Sequence, residues 1–413
     1  MGVVNRTGVS SPFIARAWLM GLTVVGVVMG WVFLFSASYP ISAAQWGDAF
    51  TVAGRQLRFL AGAVFLFALA VFIPLRRLGW GALLVHLFVL LLLVLTLRFG
   101  VSVGGVARWL TIGDFRWQPS EFAKVTLVLA LAFVMGRWWA SHRWSQKGLW
   151  WLLGVGMWLS TVALVLLQPH LSGGIILAGI GAATLLFARM PLLVWLATLI
   201  GVGAMGYGTR HAILHPYQQK RWQTAHAFAW GDERRWHYQS RQANLALGAG
   251  GWFGRGLFQG RQKFLFLPSA HNDFVFAVIG EEWGFLGSVG VLAFFTLLIY
   301  WALRVAASCP DPFLSGIAGG LGFYLWFQAM LHIAVNVGFL PPTGIPLPFV
   351  SAGGSSLWST LLAMGLLVNV ARQSAPEGQG RAMDDAVGDG GGRDGGAHLS
   401  RYRPRHRRPT ESA

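Results

Sequence analysis

Long apolar stretches, broken by short clusters of Arg, Pro, Gly and Trp, dominate the 413-residue chain. A bilayer core about 30 Å thick is crossed by roughly 20 apolar residues in a helix, so each uncharged run of that length predicts one span. Ten runs lie near residues 13–37, 56–74, 79–97, 120–140, 149–167, 172–188, 190–209, 274–303, 313–335 and 352–371. The sixth and seventh are separated only by Arg189-Met190-Pro191, so eight to ten spans is the working range. The first run is too long for a signal-peptide core and further spans follow it, which predicts an uncleaved anchor. The pattern predicts an all-α polytopic membrane protein of about ten transmembrane helices, spanning 1–372. A large extracytoplasmic loop at 210–273 separates helices 7 and 8, and a tail covers 373–413.

Composition agrees with the pattern. Hydrophobic residues make up 55% of the chain and charged residues 11%, against about a quarter charged in soluble domains, which excludes a water-soluble enzyme. The formal charge is nevertheless +17. Residues 1–372 hold 25 Lys and Arg against nine Asp and Glu, a net +16, and the tail is close to neutral. Short-loop Arg and Lys are more numerous on the side that holds the N-terminus, predicting cytoplasmic termini. Trp46, Trp80, Trp109, Trp117, Trp138, Trp139, Trp144, Trp150 and Trp151 cluster at predicted span ends, where an indole keeps its N–H wet and its ring in lipid. The Gly-, Asp- and Arg-rich tail has no apolar periodicity, which predicts disorder. Its Arg401–Arg408 cluster suits anionic lipid or a cytoplasmic partner as well as a plain solubilising role. The single Cys309 excludes an internal disulfide, and no Cys/His spacing resembles a zinc site.

The loop at 210–273 carries nine basic residues, among them Arg255 and Lys263. Loops of this length escape the positive-inside rule, so their charge points to anionic headgroups or a lipid-linked phosphate, which Arg and Lys bind by charge-assisted hydrogen bonds. Nucleic acid is not expected on this side of a membrane. Five glycines between Gly248 and Gly256 allow a sharp turn or a close approach of backbone to a ligand. No P-loop ending follows them, which disfavours nucleotide. Asp273 opens the eighth span, where the helix dipole favours the carboxylate and burial opposes it. The position suits a general base or an N-cap. Glu281 and Glu282 lie two turns deeper, where charges are usually paired or functional. Glu121 and Lys124 stand at i, i+3 at the start of the fourth span, predicting a local ion pair. His170 closes the fifth span, and the Pro- and Gly-rich connection from Asn336 to Ser356 has irregular backbone that only protein or a watery cavity can satisfy. One cavity open to the outer side gathers these segments.

Arg108-Trp109, Gln118–Phe122 (QPSEF), Tyr238-Gln239, Gly250–Gly256 (GGWFGRG), Gln262-Lys263, Asp273–Glu282 (DFVFAVIGEE) and Pro346–Ser356 (PLPFVSAGGSS) follow one another in this order. Together they resemble the SEDS family, the shape, elongation, division and sporulation proteins typified by FtsW, RodA and SpoVE. The resemblance covers roughly residues 13–372. It implies a ten-span peptidoglycan glycosyltransferase of the bacterial inner membrane that polymerises lipid II at the outer face, working with a class B penicillin-binding protein and with divisome or elongasome proteins. Asp273 occupies the position of the family's essential aspartate. Glu121 and Lys124 match cavity residues, and Arg108, Arg255, Lys263, Ser355 and Ser356 fall in motifs expected to bind substrate. Loop cations or a divalent cation, Mg or Mn with unknown ligands, would meet the leaving pyrophosphate. The chain departs from the family pattern at three places: His170 replaces an aspartate, Asn272 a threonine and Ala352 a tyrosine. His170 is a candidate hydrogen-bond partner for Glu121 or Asp273. The rival function is a lipid II flippase or a non-catalytic divisome scaffold. A flippase needs a polar path through both leaflets, whereas the rare charges gather in the outer half, which favours the enzyme. Gln262-Lys263 leans toward division, while Gly344–Pro348 and His332 look more RodA-like.

Overall fold

The computed structural model describes residues 12–103, 106–113, 115–213 and 238–374. The large loop is therefore described from Tyr238 onward, and the tail from Ala375 lies outside the described residues, as do Lys220, Arg221 and Asp232 to Arg235. The elements run α1 (Pro12–Trp46), α2 (Thr51–Phe72), α3 (Leu75–Phe99), β1 (Val101–Val103), β2 (Val106–Ile112), β3 (Phe115–Trp117), α4 (Pro119–Ala140), α5 (Trp144–Leu167), α6 (Leu171–Phe187), α7 (Leu192–Ile213), α8 (Tyr238–Gly250), α9 (Val275–Ser308), α10 (Pro312–Asn336) and α11 (Gly354–Gln373).

Among the described residues, eight helices are long and apolar enough to cross a membrane: α1 to α5 and α9 to α11. The predicted sixth and seventh spans are shorter apolar helices, Leu171–Phe187 and Leu192–Ala204. At 1.5 Å per residue the 17 residues of α6 rise about 25 Å, short of a full bilayer core. Two elements depart from the pattern reading. The connection at 101–117 is a three-stranded antiparallel sheet in the order β1-β2-β3, built where Val, Ile, Trp and Phe fit a pleated surface. The end of the large loop carries the helix α8.

The bundle is layered by burial. In α4 and α11, 89% of the apolar window is buried inside the protein, against 22% in α2 and 28% in α3. The exposed Phe65, Leu69, Leu84 and Phe88 of α2 and α3 face the medium that a bilayer supplies. Because lipid is as apolar as these side chains, polar contacts between helices carry much of the specificity. His86 of α3 meets Thr126 of α4 and Thr161 of α5, both at 3.1 Å. Asn369 of α11 donates at 2.7 Å to both Ala70 O and Ile73 O, satisfying carbonyls that the end of α2 leaves open.

Helix α9 is broken at Gly284, whose φ of 68° and ψ of −160° are non-helical. The bonds lost there are those from Phe285 N to Glu281 O and from Leu286 N to Glu282 O. The glycine-rich segment after α8 replaces both. Arg255 N and Gly256 N donate to Glu281 O and Glu282 O at 3.0 Å, and Phe285 N and Leu286 N donate to Gly251 O and Trp252 O at 2.8 and 3.2 Å. Gly254, at φ 80°, fits because a Cβ there would stand 2.1 Å from Glu282 O. Gly250 and Gly254 thus admit close approach to the backbone of a broken helix.

Candidate active site

Helices α4, α6, α9 and α11 begin at one end of the bundle, and the segments before them meet there. Gln118 N, just before α4, donates to Ser355 Oγ in the first turn of α11 at 3.1 Å. Ser172 Oγ of α6 donates to Thr343 O at 3.2 Å. The loop before α9 is held by the 347–352 segment: Ser351 Oγ donates to Asn272 O at 2.5 Å and Ala352 N to His271 O at 2.9 Å. Asp273 is partly exposed, and a Cβ at Gly344 would lie 3.9 Å from both of its carboxylate oxygens. The carboxylate therefore faces the Pro- and Gly-rich turn at 343–346.

Glu121 and Lys124 form the expected i, i+3 ion pair, Nζ to Oε1 at 2.6 Å, with side chains only 3% and 2% exposed. Lys124 Nζ also donates to Gln328 Oε1 at 2.7 Å and lies 5.4 Å from the Tyr324 ring centroid. On the other Glu121 oxygen, Ser359 Oγ donates at 3.5 Å. Nearby, Arg108 on β2 donates Nε to Gln168 O at 3.3 Å and Nη2 to Pro169 O, so the small sheet fixes the turn between α5 and α6.

That turn presents His170, which is 5% exposed. Its ring packs on Gly173, whose Cβ would stand 2.9 Å from Nδ1. Nδ1 itself is buried and makes no hydrogen bond, so it bonds to neither Glu121 nor Asp273. Burial, with the charges of Arg108 and Lys124, holds His170 well below the usual histidine range; at neutral pH it is an uncharged ring beside two cations. Ser356 is buried in the first turn of α11.

The loop cations divide differently. Arg255 is exposed, donates Nε to Ala249 O at 3.2 Å and lies 3.9 Å from Glu281. Lys263 was expected to meet an anion at the surface, but it is buried in a pair with Glu282, Nζ to Oε1 at 2.5 Å, with both side chains 0% exposed. Ser36 of α1 completes the cluster, accepting from Lys263 at 2.9 Å and donating to Glu282 at 2.7 Å. The rings of Tyr39 and Phe258 lie 4.7 and 5.5 Å from Nζ. Burial lowers the Lys263 ammonium from its ordinary value, and the hydrogen bond and charge of Glu282 oppose that shift. Glu281 accepts from Arg261 N and Gln262 N at 2.7 and 3.0 Å. Lys263 and the two glutamates therefore secure the loop to α9.

Among the described residues no three His, Cys, Asp or Glu side chains come together to hold a metal. A closed protein cage for Mg or Mn does not fit this donor set, and a divalent ion here needs oxygens from a substrate. Sequence reasoning missed Ser36, Tyr324, Gln328 and Ser359 as partners of the buried charges. Tyr324 and Gln328 were findable as polar groups at helical spacing inside an otherwise apolar span.

The family model of FtsW, RodA and SpoVE, described as cell cycle protein, matches residues 16–375. The chain belongs to this family. A relative named probable peptidoglycan glycosyltransferase FtsW, from Shewanella sediminis, is 33% identical over 366 residues, covering 87% of this chain and 88% of its own. Among solved structures, a chain from a study titled "Structural coordination of polymerization and crosslinking by a peptidoglycan synthase complex" is similar at TM-score 0.67 and 31% identity, covering 87% of this chain and 98% of that one. The crystal structure of the Thermus thermophilus rod shape determining protein RodA is similar at TM-score 0.63 and 29% identity, covering 87% and 97%. The FtsW/RodA/SpoVE membership covers every element that frames Asp273.

Proposed function

We propose that the chain is a peptidoglycan glycosyltransferase that polymerises lipid II at the outer face of the bacterial inner membrane, with both termini cytoplasmic. The observation that carries this reading is the placement of Asp273. Its carboxylate stands at the start of α9 beside the Gly344 turn, at the end of the bundle where four helices begin and where Arg108 and Lys124 lie. Helix N-termini and fixed cations favour an anion there.

In this reading Asp273 takes the proton from the 4-hydroxyl of the acceptor GlcNAc as that oxygen attacks the anomeric carbon of the donor MurNAc. The bond from that carbon to the pyrophosphate oxygen breaks, its electron pair leaves with undecaprenyl pyrophosphate, and the α-linked donor becomes a β-1,4 bond. A single displacement needs one base and one activated leaving group, so no covalent intermediate forms, as in inverting glycosidases. Arg108, Lys124 and the first turn of α11 with Ser355 and Ser356 supply positive potential to the departing diphosphate. Glu121 holds Lys124 in place, uncharged His170 lies beside Arg108 and Lys124, and Arg255, beside Glu281, adds to the positive charge of the outer loop. A divalent cation would have to be held largely by the oxygens of the substrate diphosphate, where it would neutralise developing charge, since Mg²⁺ is usually bound by one or two carboxylates plus substrate phosphates.

A class B penicillin-binding protein is the partner in this reading, supported by the likeness to a chain of a peptidoglycan synthase complex. Division is favoured over elongation by the FtsW relative, and a fluorescent fusion at the septum rather than the sidewall checks that choice. The test of the activity is purified chain with lipid II and its cognate transpeptidase: glycan polymer supports the reading. Transport of lipid II across vesicles without polymer would replace the enzyme with the flippase.

A further inference from the structure

From Tyr324 onward, helix α10 is apolar except along one line. Tyr324, Gln328, His332 and Asn336 recur every four residues, so they share one face of the helix, and all four are buried. Burying four polar groups on one helix is costly unless each is bonded, and an apolar stripe would pack α10 as well. The bonds they make run from the Glu121–Lys124 pair to the backbone of Asp273. Tyr324 Oη meets Ser359 Oγ, the donor to Glu121, at 3.1 Å. Gln328 accepts from Lys124 Nζ and donates Nε2 to Pro346 O at 2.9 Å. His332 Nδ1 meets Ile345 O at 2.7 Å. Asn336 Nδ2 donates to Asp273 O at 3.0 Å and His332 O at 2.9 Å, while its Oδ1 accepts from Ala277 N at 3.0 Å.

Asn336 thus does two things for α9 from another helix. The residue before α9, Phe274, provides no side-chain cap, and Asn336 Oδ1 accepts at 3.0 Å from Ala277 N of the first turn, an amide that otherwise reaches only Phe274 O at 3.1 Å. Its Nδ2 fixes the carbonyl of Asp273, whose own amide is bonded to Ser269 O at 3.0 Å. Gln328 and His332 meanwhile hold Ile345 and Pro346, the residues after the Gly344 turn that faces the carboxylate.

We propose that Asn336 is a positioning residue for the transfer reaction: with Gln328 and His332 it forms a polar template on α10 that sets the place of Asp273 relative to the Glu121–Lys124 pair. The inference rests on the reading of Asp273 as the base. A displacement of the order of 1 Å at a reacting group costs about 10²-fold in rate, so loss of the tether lowers kcat and leaves KM nearly unchanged.

The experiment measures initial rates of glycan formation from lipid II by the purified full chain with its transpeptidase, over a range of substrate concentrations, for Asn336→Ala, Asn336→Asp and Asp273→Ala. The aspartate variant keeps the shape and the acceptor for Ala277 N but has no amide to donate to Asp273 O. Both Asn336 variants are expected to lose about 10- to 100-fold in kcat with KM within about threefold. If Asn336→Ala does not fold, Asn336→Asp alone decides, with its thermal midpoint reporting the fold. Wild-type kcat in the Asn336 variants beside an inactive Asp273→Ala overturns the inference and leaves the base intact. A rise in KM with kcat unchanged also overturns it. Wild-type rate in Asp273→Ala overturns the base reading, and the inference with it.

Discussion

Lys263 and Glu282 provide a sharp test of how charge is used in this bundle. Both side chains are fully buried and 2.5 Å apart, so replacing Lys263 with Met leaves the Glu282 carboxylate in the interior with Ser36 as its remaining side-chain donor. Removing one partner of a buried pair costs about 3–5 kcal/mol, whereas replacing both with apolar residues of similar volume is often neutral. Glu282→Met strands the ammonium instead, but the Tyr39 and Phe258 rings at 4.7 and 5.5 Å offset about 1–2 kcal/mol of that loss, so it is the milder single variant. The double variant is expected within about 1 kcal/mol of wild type. The assay is unfolding of the solubilised chain in mixed SDS micelles, run as a double-mutant cycle beside glycan polymerisation. Two harmless single variants, or losses that simply add, would refute the buried pair as a unit. Loss of polymerisation in a fully stable double variant would return Lys263 to the substrate.

Gly254→Ala puts a side chain into a left-handed conformation at φ 80° and its Cβ 2.1 Å from Glu282 O. The conformation alone costs about 1–2 kcal/mol, and the backbone must also retreat from the kink. Protease cleavage between Gly250 and Lys263 should therefore rise in this variant and not in Gly248→Ala, whose Cβ meets open space. His170 gives a pH signature. Because its folded value lies below the ordinary 6.5, the unfolded chain binds a proton that the folded chain does not as pH falls through 6.5, and stability drops by up to about 1.4 kcal/mol per pH unit below that point. His170→Gln removes this contribution, so its thermal midpoint should fall less between pH 7 and 5 than that of wild type. Equal falls would show that His170 does not remain uncharged in the fold.

The span pattern was legible because a helix in lipid must be apolar along its whole length, and the Glu121–Lys124 pair because i, i+3 spacing puts both groups on one face. The strands at 101–117 were hidden among the spans, although Val101, Val103, Trp109 and Ile112 are strand formers. Lys263 is the more instructive case. A count of charge in the loop treats every Arg and Lys alike, and only the fold brings Ser36 and Glu282, 246 positions apart, around one of them. The glycines of 250–256 were correctly read as places of close approach, but their partner is the interrupted α9, and a broken helix cannot be seen from the apolar run of 274–303. The stripe on α10 went unread because Gln328, His332 and Asn336 each look like an isolated polar residue until the turn at 343–346 is folded onto them.

The central claim is that Asp273 removes the proton in glycan transfer. The most direct measurement is the rate of polymer formation from lipid II by Asp273→Asn, which keeps the shape of the side chain and removes the carboxylate, with substrate binding followed in parallel. A base of this kind contributes about 10²- to 10⁴-fold, so the account predicts a rate lower by at least about 10²-fold with binding retained. Polymer formed by Asp273→Asn at the wild-type rate would contradict it.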